Sequence, residues 1–329
     1  MRKRSRLLLA TLILLIPIFN TSCSIKVAPI STEVTYDQYI DVDLKKSYNE
    51  IKEDFFNAIK KEDLKFADNS NIEYEAADEI KQNLGIWHDA FGENFKYMNY
   101  HDFQIDLGLA TDEECIVPLS EDYDFDLKLP AVSETLFVSY ECVSLNEMEF
   151  VFGFVFAENA DGTISLERVE SDLLRYKGYD ALDLYEQSLE GTDIFEKFKS
   201  ICIAVQLCGN SSMKYDSRDE IYNRKANLEK TFHDEYEFPL QLNGGQQFVK
   251  YDMKQDIEHG IVPECAYVTD TDITDEDSIK PELKKVASQI KSDIPQLLVD
   301  FDYVYMNAYN EMPIDRDQQY QFYGLIVDI

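Results

Sequence analysis

The chain of 329 residues carries 64 acidic and 31 basic side chains, which gives a formal net charge of −33 at pH 7. This excess of carboxylates argues against binding to nucleic acid, which needs Lys and Arg against phosphates, and against lying flat on an anionic lipid surface. Disorder does not explain the acidity, because 45% of the residues are hydrophobic, enough to bury a core. The length favours two domains over one.

The first residues have the pattern of a secretory signal. Four basic side chains within 2–6 are followed by an apolar run at 7–19 and then by small residues. A helix needs about 20 apolar residues to span a bilayer, and this run is shorter and interrupted by Pro17. Cleavage is therefore favoured over an uncleaved transmembrane anchor.

The end of this segment resembles the lipobox of bacterial lipoproteins. Thr21 and Ser22 precede Cys23 as in that family, although Asn20 stands where Leu, Val or Ile is usual. The resemblance implies a signal peptide over 1–22 and a diacylated Cys23 at the mature N-terminus. It also implies anchoring in the lipid bilayer of the cell membrane, on the extracytoplasmic face. Plain secretion remains an alternative.

Residues 24–35 have few charges and no periodicity, so we interpret the segment 23–35 as a lipidated tether. Apolar residues then recur at helical spacing over 44–64 and 77–91. The period changes to two further on, and we interpret 111–133 as an acidic loop. Strands of an antiparallel meander are predicted at 103–109, 136–140, 150–157 and 164–169.

A meander sheet needs a cover over one face, and the two preceding helices are expected to supply it. The side chains predicted to face inward are Phe55, Ile59, Leu84 and Trp87.

The patterning breaks at 172–180, and helical and strand signals then resume. Helices are predicted at 182–189, at 194–207, after Ser217 and from Pro281, which suits a first turn. Strands are predicted at 248–253, 261–268, 297–305 and 320–327. We therefore predict an α+β fold of helices packed on antiparallel meander sheets, with two domains at 36–174 and 175–329.

The first half resembles the nuclear-transport-factor-2-like superfamily, in the segment Phe55–Leu64, where an opening helix ends at a charged turn. The resemblance implies a cone-shaped α+β domain whose curved sheet surrounds a pocket. A cystatin-like sheet is the alternative. The function of such a fold lies in the residues that line the pocket, so the fold does not decide between an enzyme and a binding protein.

Five cysteines remain beyond Cys23, an odd number that cannot all pair within the chain. Cys202 and Cys208 fall on one predicted helix about 9 Å apart, too far for a disulfide. Pairing of Cys115 with Cys142 stays open, but buried reduced thiols are favoured for the set, which is Cys115, Cys142, Cys202, Cys208 and Cys265.

Few motifs point to chemistry. The four histidines form no zinc signature, and nucleophile elbows and phosphate-binding loops are absent from the sequence. We assign no catalytic residue, no metal ligand and no cofactor. The candidates for lining a ligand pocket are Trp87, His88 and His101.

Two aspartate-rich runs, at 122–126 and 270–277, have the opening spacing of an EF-hand calcium loop. Leu127 in the first and Asp275 in the second occupy the position that requires Gly. Both runs are therefore predicted to be solvated loops.

The sequence thus favours a membrane-tethered lipoprotein that acts as a non-enzymatic binding or scaffolding module for a protein or small-molecule ligand. The alternative is a hydrolase acting on cell-envelope material, which needs carboxylates with raised pKa values near His88 or His101. Converging titratable groups in a cleft would favour the enzyme, and an exposed aromatic face would favour the binding module.

Overall fold

The structure is a computed structural model that describes residues 33–36, 40–106, 114–120, 123–130, 135–145, 147–208, 213–215, 217–256, 258–313 and 319–329. The predicted signal peptide and Cys23 lie outside these residues. Among the residues that are described, no helix combines the length and the apolar character needed to cross a membrane.

The fold is α+β, as predicted. Within the described residues the helices are α1 Val42–Lys61, α2 Tyr74–Phe91, α3 Ala181–Glu190, α4 Ile194–Leu207, α5 Arg218–Glu235 and α6 Glu276–Asp293. The strands are β1 Glu33–Tyr36, β2 Tyr97–Asp106, β3 Glu114–Ser120, β4 Tyr123–Pro130, β5 Thr135–Leu145, β6 Met148–Glu158, β7 Ile164–Tyr176, β8 Met213–Tyr215, β9 Leu240–Gln241, β10 Gln247–Asp256, β11 Gly260–Val268, β12 Tyr303–Tyr309 and β13 Phe322–Asp328.

The ends of α1 follow from its capping residues. The Asp41 side chain accepts hydrogen bonds from the backbone N–H groups of Asp43 and Leu44, at 2.9 and 3.2 Å. Glu62 closes the helix in the left-handed conformation, with φ of 54°. The cap fixes the position from which Lys52, further along the helix, reaches the sheet.

The first sheet is antiparallel, in the order β1-β2-β5-β6-β7, and α1 and α2 pack on one of its faces. Phe55 contacts Phe152 and Phe154 edge to face, with ring centroids 5.8 and 5.1 Å apart. Trp87 is 5% exposed, and its indole N–H donates to Ser171 Oγ at 3.1 Å. The predicted packing of helices on this sheet is confirmed.

The second sheet has the order β13-β12-β11-β10-β9, and α6 contacts β12 and β13. Its β11 and β12 are parallel, whereas its other strand pairs are antiparallel, so this sheet departs from the predicted meander at one pair. The helix α6 forms the crossover that a parallel pair requires.

Three local predictions also need correction. Part of the predicted loop 111–133 forms β3 and β4, which join β8 in a third sheet. The alternation at 297–305 is a 3-10 turn followed by β12, which begins only at Tyr303. Pro281 lies inside α6, which begins five residues earlier at Glu276.

Two boundaries that we predicted from the sequence, the end of the tether and the break between the domains, fall within strands of the structure. Residues 33–35, which we interpreted as tether, belong to β1, and β7 continues to Tyr176, past the start of the predicted break. The Tyr176 hydroxyl donates to the Ile261 carbonyl oxygen at 3.3 Å, and buried residues of both halves belong to one hydrophobic cluster. The two large sheets are nevertheless separate.

Candidate functional site

The three pocket candidates from the sequence have separate neighbours. Trp87 is buried in the core between α2 and the first sheet. His88 Nδ1 lies 2.8 Å from the carbonyl oxygen of Ile59, near the end of α1. His101 packs against Tyr100, with ring centroids 4.6 Å apart. These contacts give the three side chains structural roles and do not join them in one site.

The feature most typical of a binding site is on the second sheet. Along β12, three fully buried aliphatic side chains face α6, and three half-buried tyrosines alternate with them on the opposite face. Phe322 lies beside the last of these tyrosines, with ring centroids 5.6 Å apart, and is 45% exposed. We call this surface the aromatic face; its residues are Tyr303, Tyr305, Tyr309 and Phe322.

Charged groups on the same side of the sheet are paired. Lys250 Nζ donates to Glu264 Oε2 at 2.5 Å, and Asn307 Nδ2 donates to Glu264 Oε1 at 2.8 Å. Lys254 Nζ lies 3.5 Å from the ring centroid of Tyr305, a cation–π contact. Burial disfavours the charged form of Lys250, but the Glu264 carboxylate outweighs this effect and raises the lysine pKa. The aromatic face is therefore locally close to neutral.

A row of cross-strand partners that carries no aromatic ring crosses the sheet beside these tyrosines. Lys250 pairs with Ala266, which pairs with Asn307, which in turn pairs with Gly324. A Cβ atom at Gly324 would clash with the Tyr305 hydroxyl and would lie 2.7 Å from Asn307 Oδ1. Glycine here leaves the space that the Tyr305 hydroxyl and Asn307 Oδ1 occupy, so it fixes the position of the Tyr305 ring.

A cleft of about 470 Å³ continues from the aromatic face. Val268 lines the cleft and is the cross-strand neighbour of Tyr309, so the two features adjoin. Thr269 Oγ1 donates to Glu282 Oε1 at 2.6 Å, and the Thr271 hydroxyl donates to the same carboxylate. We call it the amide cleft, since its polar lining includes Gln241, Gln246, Gln247, Thr269, Thr271 and Glu282.

A smaller cleft of about 260 Å³ lies between α2 and β7. Burial raises the pKa of Glu170 to about 7, although Arg168, whose Nε is 3.2 Å from Glu170 Oε1, opposes this shift. Burial also raises the pKa of Glu79. We call this the acidic cleft; its lining is Tyr74, Glu75, Asp78, Glu79, Arg168, Val169 and Glu170. His88 and His101 are not part of this lining, contrary to what the hydrolase alternative required.

A polar cluster lies beneath α1, against the first sheet. Lys52 Nζ donates to Ser139 Oγ at 2.6 Å and to Glu141 Oε1 at 2.5 Å. Asn99 Nδ2 donates to Glu141 Oε1 at 3.1 Å and to Asp102 Oδ1 at 2.9 Å. Lys52, Asp102, Ser139 and Glu141 are at most 3% exposed. We call these four residues, together with the exposed Asn99 at their edge, the buried cluster.

The pKa of Asp102 follows from its partners in this cluster. Burial alone would raise it, but the Lys52 ammonium and hydrogen bonds from Ser139 and Asn99 lower it. Lys45, on the first turn of α1, adds an ion pair at 3.0 Å. Asp102 is therefore held as a carboxylate inside the protein.

The buried cluster was not predicted from the sequence, although the position of Lys52 on α1 indicates it. Lys52 lies one turn after Tyr48 and one turn before Phe55, on the buried side of the helix. A lysine in an apolar helical stripe indicates a buried partner. Two partners of Lys52 lie on β5, where Ser139 and Glu141 interrupt an otherwise hydrophobic buried strand.

The described residues include no group of metal ligands and no disulfide. Within them, no three His, Cys, Asp or Glu side chains are grouped as metal ligands. Asp272 is exposed and accepts a hydrogen bond from Thr274, while the side chains of the run at 122–126 lie outside the description. The thiols described are free and buried, as favoured above: Cys142, Cys202, Cys208 and Cys265.

No family model matches this chain, and neither the curated proteins nor the solved structures include a significant match to it. Its function therefore has to be inferred from its own geometry.

Proposed function

We propose that the chain is a lipid-anchored, extracytoplasmic binding module that holds a neutral glycan on the aromatic face and in the amide cleft. The observation that carries this proposal is the row of partly buried tyrosines on β12, facing away from α6.

The chemistry of the aromatic face suits sugar rings. Side chains two residues apart on a strand are about 7 Å apart, so Tyr303 and Tyr305 offer successive stacking positions along β12. Aromatic faces carry partial negative charge and attract the polarised C–H groups of a pyranose. Amide and hydroxyl side chains in the amide cleft supply donors and acceptors for sugar hydroxyls. Ligand sites usually combine such an apolar surface with a few polar groups that orient the ligand.

Charge favours a neutral glycan over an anionic one. The chain has a net charge of −33, which repels carboxylated or sulfated polymers. Locally, Lys250 is engaged by Glu264, and Lys254 lies over the ring of Tyr305. A ligand without formal charge adds no charge that competes for Glu264 or Lys250.

The proposed anchor is the acylated Cys23. Two or more acyl chains hold a protein on a bilayer where one chain binds only reversibly. With Cys23 acylated, the two sheets would stand outside the membrane, where a glycan is accessible. A Cys23→Ala variant should leave the membrane fraction or accumulate uncut; unchanged fractionation and migration would reject the anchor without affecting the glycan site.

The glycan site is tested by retention of the purified full chain on insoluble cellulose, chitin and starch. We expect retention on at least one of them and at least about a tenfold loss in Tyr305→Ala, since one buried aromatic anchor contributes more than about 1.4 kcal/mol. Tyr222→Ala is the matched control, because Tyr222 is 40% exposed but lies on α5. Failure to bind any neutral polysaccharide, or equal loss in both variants, would reject the proposal.

The acidic cleft supports a second candidate function, hydrolysis of a glycosidic bond. Glu170, with a pKa of about 7, can hold a proton near neutral pH and donate it as a general acid. Turnover of chromogenic neutral glycosides should then fall as pH rises through 7 and be lost in Glu170→Gln. An absence of turnover over pH 5–9 would reject this function and leave the binding module unaffected.

A further inference from the structure

We propose that Lys52 and Asn99 become joined by an intramolecular amide bond, formed within the buried cluster and with Glu141 as proton carrier. This covalent link is independent of the glycan site, which lies on the second sheet.

The geometry brings nucleophile, leaving group and proton carrier together. Glu141 Oε1 accepts from Lys52 Nζ at 2.5 Å and from Asn99 Nδ2 at 3.1 Å. One carboxylate oxygen therefore bridges the attacking amine and the amide nitrogen that has to leave. Groups held in this way react with high effective concentration, because the entropy of bringing them together is already lost on folding.

Burial favours loss of the positive charge of Lys52. Lys52 and Glu141 are 3% and 2% exposed, and removing an ammonium from water costs several kcal/mol. Conversion of the ammonium to an amide eliminates that buried charge. Asn99 is exposed at the mouth of the cluster, so the released nitrogen can reach solvent.

The proposed steps balance without any oxidant or co-reactant. Glu141 takes a proton from the Lys52 ammonium, and the free amine attacks Cγ of Asn99. The C–N bond to Nδ2 breaks as Glu141 returns its proton to that nitrogen, together with the proton released from Nζ. Nδ2 leaves as ammonium, the Glu141 carboxylate is restored, and a secondary amide joins the two side chains.

Asn99 is a better electrophile than the nearby acid. Lys52 Nζ lies 3.8 Å from Asp102 Oδ1, so a link to Asp102 is the geometric competitor. The pKa of Asp102 is lowered by Lys52, Ser139 and Asn99 against the effect of burial, and an ionised carboxylate resists attack. The amide of Asn99 carries no charge. The two links also differ in what they release, since Asp102 would lose water.

Peptide mapping of the full chain by mass spectrometry tests the proposal directly. Trypsin should yield a branched peptide joining residues 47–60 and 97–128, lighter than the sum of its parts by one ammonia molecule. Recovery of these segments only as separate peptides would overturn the proposal. A branched peptide lighter by water would overturn the assignment to Asn99.

Two variants test the roles within the cluster. Lys52→Arg keeps the positive charge but supplies a guanidinium that stays protonated, and Glu141→Gln keeps the size but cannot carry the proton. Both should abolish the branched peptide. Persistence of the link in Glu141→Gln would overturn the role of Glu141, and the wild-type map decides the main question even if a variant fails to fold.

The second sheet offers an internal control. Lys250, Glu264 and Asn307 are the same residue types in contact, but the lysine and asparagine nitrogens bind different oxygens of the carboxylate. The Lys250 side chain is 42% exposed, and Glu264 raises its pKa despite partial burial, which keeps the amine protonated. In the same digest Lys250 should remain unlinked; a link there without one at Lys52 would overturn the geometric argument.

Discussion

Each half of the molecule places a lysine, a glutamate and an asparagine in contact, but in different surroundings. In the first half, Lys52 and Glu141 lie under α1 and are almost fully buried. In the second half, Lys250 and Glu264 lie on an open sheet face, where Lys250 is 42% exposed. The same pair of residue types therefore has different roles in the two halves. The Lys52–Glu141 pair stabilises the core and is positioned to react, whereas the Lys250–Glu264 pair neutralises a surface on which a ligand can stack.

The largest effect is expected for Lys52→Met. The change leaves Glu141 and Asp102 buried without their cation, and breaking a buried pair costs about 3–5 kcal/mol. The loss of a cation applies to the unlinked form; in the linked form the substitution removes the amide link and its N–H donor to Glu141 instead. The measurement is the free energy of unfolding from urea denaturation, with coincidence of two probes as the check on two-state behaviour.

A double variant sharpens this prediction. If Glu141→Gln is combined with Lys52→Met, part of the loss should be recovered, since one unpaired buried charge is removed. A single Lys52→Met variant as stable as the wild type would show that the buried cluster contributes nothing to the core and that the comparison between the halves is wrong.

An intermediate effect is expected at Glu170 in the acidic cleft, where carboxylates outnumber cations. Its folded pKa of about 7 lies above its ordinary value of 4.5. The stability that the protonated form provides is therefore fully present below pH 4.5 and is lost as pH rises through 7. Glu170→Gln should be more stable than the wild type by about 1–3 kcal/mol at pH 8, because a shift of one pKa unit equals 1.36 kcal/mol.

The pH profile of that variant is the decisive measurement. The difference in unfolding free energy between Glu170→Gln and the wild type should vanish as pH falls to about 4.5, since both side chains are then neutral. A difference that is constant from pH 4.5 to 8 would mean that the glutamate does not titrate in this range.

An effect at the lower end of the same range is expected for Gly324→Ala, because the added Cβ meets side-chain atoms and no backbone atom. The new methyl group would meet the Tyr305 hydroxyl and Asn307 Oδ1, and overpacking of this kind costs about 1–3 kcal/mol. Because Tyr305 has to shift, glycan retention should fall together with stability. The matched change is Gly85→Ala on α2, where the nearest atom to an added Cβ is 3.9 Å away. Loss of retention in both variants would mean that the position of Tyr305 over Gly324 does not control binding.

Much of the first half could be predicted from the sequence because its signals are local. Apolar spacing on α1 and α2 predicted which residues face the sheet, and Phe55 and Trp87 are buried as expected. The buried cluster depends on contacts between residues far apart in sequence, such as Lys52 with Glu141, which local periodicity does not reveal.

The second half was harder to predict for two physical reasons. The parallel pairing of β11 with β12 depends on a helical crossover, and strand periodicity is the same for parallel and antiparallel neighbours. The alternation of tyrosines on β12 was visible, but not which face α6 would cover. The aromatic face is therefore a product of the tertiary packing of α6.

The smallest effect is expected for Lys250→Met, the counterpart of the change at Lys52. The Lys250 side chain is 42% and that of Glu264 18% exposed, and ion pairs that water reaches contribute about 0–1 kcal/mol. Glu264 would keep its hydrogen bond from Asn307, so its carboxylate is not left without a partner. Urea denaturation should show a loss below about 1 kcal/mol, several-fold less than for Lys52→Met. Raising the ionic strength should reduce this loss further, because salt screens exposed pairs but hardly affects buried ones. Equal losses at Lys52 and Lys250, or a loss at Lys250 that does not depend on salt, would contradict the distinction drawn between the buried pair and the surface pair.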